Sequence, residues 1–110
     1  MAENKEDDEI LLLDFYADWC GPCKRQHDIV DDLEDALDEE YGDDGNPLEV
    51  VQIDVEQNED ISDAYDVRSL PTLVLKHGDV DDPDEGRIKE FIGVTAETDL
   101  REAIEEEHDA

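Results

Sequence analysis

The stretch Leu13-Asp14-Phe15-Tyr16-Ala17-Asp18-Trp19-Cys20-Gly21-Pro22-Cys23-Lys24 decides how this chain folds and where its chemistry lies. It begins inside an apolar run, Ile10 to Tyr16, that suits a buried central strand and is interrupted only by Asp14. It ends in a helix, because Pro22 fits a first turn where its missing N–H is no loss. Beyond it, Val30, Leu33, Leu37 and Tyr41 share one helical stripe, with Ile29 and Ala36 beside it and acids on the opposite face. Both cysteines of the chain therefore sit where a strand turns into a helix.

Three readings of the cysteine pair compete. A structural disulfide between residues so close in sequence would close almost no loop and restrain little. A zinc site would need two more ligands; His27 could face Cys23, but no second C-x-x-C and no H-x-x-x-H is present, so no metal is expected. The redox reading is the best founded. A thiol at a helix N-terminus feels the positive end of the helix dipole and unpaired N–H groups, which favours its thiolate. Cys20 is expected there, exposed and partly ionised, with Cys23 one turn inside the helix and close enough for a reversible disulfide. Asp14, with apolar neighbours on both sides, is expected to be buried. His27 is read as capping a solvated turn in preference to tuning Cys23.

Working outward, Gly42-Asp43-Asp44-Gly45-Asn46-Pro47 ends the long helix. Residues 48–55 read as a second strand and 59–66 as a short helix carrying Ile61, Ala64 and Tyr65. Pro71 leads into a third strand at 72–76. A loop over 81–86 precedes a fourth at 87–92, and a last helix is expected to start from Thr95 as N-cap and to bury Leu100, Ala103 and Ile104. The order β-α-β-α-β-β-α predicts an α/β fold, a mixed four-stranded sheet with helices on both faces. Residues 1–9 are taken as an acidic flexible N-terminus and 10–110 as one domain, without internal repeats.

Composition bounds the partners. Among 110 residues, 37 are Asp or Glu against 8 Lys or Arg, a net charge of -29. Leu, Ile, Val and Phe number 27, roughly a quarter of the chain and above the roughly 20% below which such a charged sequence reads as disordered. Such a polyanion is repelled by nucleic acid and by anionic membranes. The longest apolar run, Ile10-Leu11-Leu12-Leu13, is far short of a membrane span, and the acidic start lacks the marks of a signal peptide. The chain is read as soluble, cytoplasmic and monomeric. The acids are spread along it, and three explanations offer themselves: ordinary solvated faces, surface cation storage, or adaptation to molar salt. The third is preferred, because acids fill nearly every solvent position, Lys is scarce, and no EF-hand-like loop is present.

The stretch at 13–24 resembles the first central strand and active-site loop of the thioredoxin family. Val67-Arg68-Ser69-Leu70-Pro71-Thr72-Leu73 is similar to the family's second signature, whose proline is cis and lies against the dithiol, and Phe91-Ile92-Gly93 to its third. The resemblance covers about residues 10–107. It implies a thioredoxin-like fold and a protein-disulfide reductase with no bound cofactor beyond the redox-active disulfide Cys20–Cys23. Cys20 would attack a substrate disulfide, Cys23 would resolve the mixed disulfide, and Asp14 would accept the Cys23 proton. Trp19, Gly21, Pro22, Leu70, Pro71 and Gly93 would form the substrate groove. Disulfide-containing proteins would be substrates, and a thioredoxin-reductase-like protein would supply electrons. A glutaredoxin-like or isomerase-type protein using the same pair is one alternative; an acidic binding module without turnover is another.

Several positions depart from that pattern. Only 19 residues precede Cys20, so the family's first strand and helix look absent, an arrangement similar to the glutaredoxin-like core and to short archaeal thioredoxins. The usual lysine partner of the buried aspartate is Gln52, which should make ionisation of Asp14 less favourable. The usual helix-kinking proline is Asp28. The two longest stretches without acids, 67–78 and 19–27, hold four of the eight cations, Lys24, Arg25, Arg68 and Lys76. These stretches are expected to form the substrate face, with Lys24 and Arg25 favouring the Cys20 thiolate.

Overall fold

A computed structural model describes residues 9–42 and 45–109. The acidic segment 1–8 and Asp43 and Asp44 of the expected turn lie outside the described residues. Four strands, β1 (Ile10–Tyr16), β2 (Leu48–Asp54), β3 (Thr72–Lys76) and β4 (Arg87–Ile92), form one sheet in the order β2-β1-β3-β4. β1 runs parallel to β2 and antiparallel to β3, which is antiparallel to β4. The helices are α1 (Gly21–Tyr41), α2 (Glu59–Ala64) and α3 (Glu97–Asp109). The expected order and mixed sheet are those observed.

β1 is apolar almost throughout because both of its faces are covered. Ile10 and Leu12 pack with Val30, Leu33 and Leu37 of α1 and Leu100, Ala103 and Ile104 of α3. Leu11, Leu13 and Phe15 point the other way, into a second core with Ile53, Tyr65 and Val74, flanked by Ile61 of α2. Alternation along the strand thus puts Asp14 on the α1 side. α1 ends where Gly42 takes a φ of 79° and its N–H reaches the carbonyl of Asp38 at 2.8 Å.

The second strand ends at Asp54 and the short helix at Ala64, one and two residues before the expected ends, and the start of the last helix also differs. The last helix starts at Glu97, and the carbonyl of Ala96, not the side chain of Thr95, receives the N–H groups of Asp99 and Leu100. Thr95 is engaged elsewhere. Its backbone N–H donates to Oε1 of Gln26 at 2.7 Å, and its carbonyl accepts from Nε2 of the same side chain at 3.0 Å.

Candidate active site

Cys20 and Cys23 form a disulfide, their Cα atoms 5.3 Å apart. Cys20 is the N-cap of α1, in extended conformation, and its Sγ accepts the backbone N–H of Cys23 at 3.2 Å. No acid occupies the first turn of α1, so nothing there opposes the positive helix end. The expected exposure of Cys20 is not observed, since only 4% of its surface is open. The cause is packing: Cys20, Cys23 and Ala17 form a small apolar cluster closed by Tyr16, Val55 and Leu70.

Beside the disulfide lies a groove of about 420 Å³. Trp19, Cys20, Gly21, Pro22, Val55, Val67, Arg68, Ser69 and Leu70 line it, whereas Pro71 and Gly93 are not among its lining residues. Trp19 is 69% exposed, and its indole N–H is tied to Oε2 of Glu56 at 2.7 Å. Pro71 is buried, follows a cis peptide bond, and accepts the N–H of Gly93 at 2.9 Å. Gly93 has a φ of 86°, a backbone shape that side-chain-bearing residues rarely adopt. With Ile92 and Val94 exposed on either side, it presents an open apolar edge.

Asp14 is fully buried, and neither of its carboxylate oxygens has a hydrogen bond among the described residues. Burial is the main reason its pKa is pushed up from the ordinary 3.8 to about 6; His27 pulls it down and Asp31 raises it further. Its register partner on β2 is Gln52, which is exposed and brings no charge. The cation comes from the other side: Nε2 of His27 lies 3.1 Å from Oδ2 of Asp14, close enough for an ion pair though not aligned as a hydrogen bond. The imidazole also meets the edge of the Tyr16 ring, with centroids 4.9 Å apart. The solvated-turn reading of His27 is therefore corrected. Positions 26 and 27 follow Cys23 by three and four residues, a spacing that places all three on the sheet-facing side of α1. That spacing was the available signal for both Gln26 and His27.

Lys24 and Arg25 are exposed on the first turns of α1, and Arg68 is exposed and paired with Asp66 at 3.0 Å. Lys76 does not belong to this face. It is fully buried, and its Nζ donates to the Tyr65 hydroxyl and to the carbonyls of Asp79 and Asp82. It lies at the opposite end of β3 from Pro71, and of these four cations Arg68 is the one that lines the groove. Among the described residues no group of three or more His, Cys, Asp or Glu side chains is placed to hold a metal, and no helix is long and apolar enough to cross a membrane.

A mixed four-stranded sheet with a C-x-x-C disulfide at a helix N-terminus, and a cis-proline preceded by Leu70 of the same groove, defines a thiol–disulfide fold. Comparison with known proteins makes the class specific. The thioredoxin family model matches residues 2–106, and the chain belongs to that family. It is 42% identical over 72 residues to thioredoxin of Bacillus subtilis (strain 168), covering 64% of this chain and 62% of that protein. It is 44% identical over 75 residues to Thioredoxin-T of Drosophila melanogaster, covering 67% of this chain and 43% of that protein. The match thus spans less than two thirds of either relative. Among solved structures, a mutant thioredoxin from Halobacterium salinarum NRC-1 superposes with a TM-score of 0.72 at 33% identity, covering 96% of this chain and 80% of that one.

Proposed function

We propose that this protein is a thiol–disulfide oxidoreductase that reduces protein disulfides. The observation that carries the reading is the Cys20–Cys23 disulfide at the start of α1, with Cys20 Sγ accepting a helix N–H beside an open groove. In the reduced protein, the Cys20 thiolate attacks one sulfur of a substrate disulfide, and the other sulfur leaves as thiolate. Cys23 then loses its proton to Asp14 and attacks Cys20 Sγ, which releases the second substrate thiolate. Two electrons pass from the dithiol to the substrate, and a thioredoxin-reductase-like donor restores the dithiol. Trp19, Gly21, Pro22, Leu70, Pro71 and Gly93 shape the docking edge, and Lys24 and Arg25 favour the thiolate.

On the same reading the protein works as a cytoplasmic monomer, and its net charge of -29 is adaptation to molar salt, where the Debye length falls to about 3 Å. The test is trapping. Cys23→Ser should hold mixed disulfides on Cys20, and Cys20→Ser should hold none. The unaltered chain should speed reduction of insulin disulfides by dithiothreitol. An inert Cys23→Ser variant together with no catalysed insulin reduction would return the chain to the class of binding modules. A melting temperature that stays flat between dilute buffer and molar KCl would refute the salt adaptation alone.

A further inference from the structure

The resolving step leaves a proton on a side chain that has no contact with water. Asp14 is fully buried, its oxygens lack hydrogen bonds among the described residues, and its neighbours on β1 and β3 are apolar. While Asp14 holds a proton it cannot take one from Cys23, so a route from the carboxyl to water sets how readily the resolving step can run. One neighbouring group both touches the carboxylate and reaches the surface. His27 has Nε2 shielded from solvent and 3.1 Å from Asp14 Oδ2, while 24% of its side chain remains exposed, so the exposed part lies elsewhere on the side chain. It stands one turn beyond Cys23 and one turn before Asp31 on the same face of α1.

We propose that His27 is the proton exit for Asp14: Nε2 takes the proton that the carboxylate has received from Cys23, and the outer part of the imidazole delivers it to water. The proposal rests on the oxidoreductase reading above and deepens it. The balance is complete. The Cys23 S–H bond breaks, the Cys20–Cys23 S–S bond forms, and the bond from Cys20 to the substrate sulfur breaks, that sulfur keeping the electron pair. The proton moves from Cys23 to Asp14, then to His27, then out, and Cys23 takes one back along the same groups when the donor restores the dithiol. His27 does not touch the reacting sulfurs, so it is a positioning residue that acts through Asp14.

An imidazole differs from a lysine here because it has two ring nitrogens, so one can take a proton while the other gives one up, where an ammonium only holds its charge. The groups facing the pair are few. From α1 come Cys23 and Asp31, from β1 the Tyr16 hydroxyl, from β2 the neutral Gln52, with Asp54 acting on Tyr16; the strand partner on β3 is Leu73. Burial, with Asp54, Asp18 and Asp14 nearby, pushes the Tyr16 hydroxyl up from its ordinary value, so it keeps its proton over the range measured.

The experiment is single-turnover reduction of a disulfide-bonded peptide, followed as formation and decay of the mixed disulfide from pH 5 to 9. His27→Ala and His27→Gln should each slow decay by about tenfold, below the span of full acid–base catalysis because Asp14 still accepts the proton. Both should flatten the neutral-range pH dependence of decay while leaving the rate of formation unchanged. Adding Gln52→Lys to His27→Ala restores a positive charge beside Asp14 without a neutral-range proton carrier, so the flattened profile should persist. Unchanged decay in both His27 variants, or a wild-type rate and profile recovered with the lysine, would overturn the proposal while leaving the oxidoreductase reading intact. Absence of any mixed disulfide in the unaltered protein would instead sink that reading, and the proton exit with it.

Discussion

Two ionisable side chains of this sheet are fully buried, and the protein treats them in opposite ways. Lys76, at the end of β3, faces the α2 side and has three hydrogen-bond acceptors, the Tyr65 hydroxyl and two carbonyls of the segment 79–82. Burial lowers its pKa, and Glu85, Asp82 and Asp79 push it back up. Asp14, on the neighbouring strand, faces the α1 side with no hydrogen bond among the described residues and a histidine as its close charged contact. A buried charge that only holds structure is satisfied on every side, since an unpaired one costs several kcal/mol. A buried carboxylate left short of partners at the disulfide end is kept in a state from which it can readily take a proton.

The largest expected effect separates the two roles at Asp14 itself. Asp14→Asn keeps the shape and removes the proposed proton acceptor, so decay of the mixed disulfide should slow by about 10²-fold. The same substitution should stabilise the fold. A carboxyl whose pKa is raised by folding, here from 3.8 to about 6, contributes stability that is complete below pH 4 and lost as pH rises through 6. Asp14→Asn should therefore match the unaltered protein below pH 4 and exceed it above pH 7 by on the order of 2 kcal/mol in denaturant unfolding. A variant less stable at pH 8 would mean that Asp14 is a satisfied structural charge like Lys76.

Lys76→Met is the converse. It removes the donor to three acceptors and should lower the unfolding free energy by about 3 kcal/mol. The rates of mixed-disulfide formation and decay should not change, because the site lies a whole strand away from Pro71. A loss below about 1 kcal/mol, or a slowed decay, would remove the contrast between the two charges.

Much of this was legible in the residues. The run at 10–16, the helical stripe at Val30, Leu33 and Leu37, and the turn chemistry around Gly42 fix β1, α1 and the end of α1, since periodicity reports which face is buried. The same pattern puts the cysteines at the helix N-terminus. What it cannot report is which partner fills a buried position. Gln26 sits on the inner face of α1 like any core residue, yet its amide binds the backbone of Thr95, 69 positions away, and so displaces the start of α3. His27 reads as a surface group as long as the partner of Asp14 is sought at position 52, the strand neighbour, whereas the contact comes from the helix above. Cys20 reads as open because it stands at a helix N-terminus, and Val55 and Leu70, both distant in sequence, close over it.

The smallest effect expected belongs to the charges that are not buried. Lys24 and Arg25 stand exposed on the first turns of α1, and an exposed charge acts on its neighbours with a few tenths of a kcal/mol. Replacing both by Asp should slow alkylation of the Cys20 thiol by iodoacetamide about threefold in dilute buffer. Screening then decides the interpretation. In molar KCl the Debye length is about 3 Å, so this difference should vanish, whereas the effects of Asp14→Asn and Lys76→Met, carried through protein and not through solvent, should remain. A slowing by Lys24→Asp and Arg25→Asp that survives molar salt would mean that these two side chains act by direct contact with the dithiol, and a full absence of slowing in dilute buffer would mean that the helix N-terminus alone sustains the thiolate.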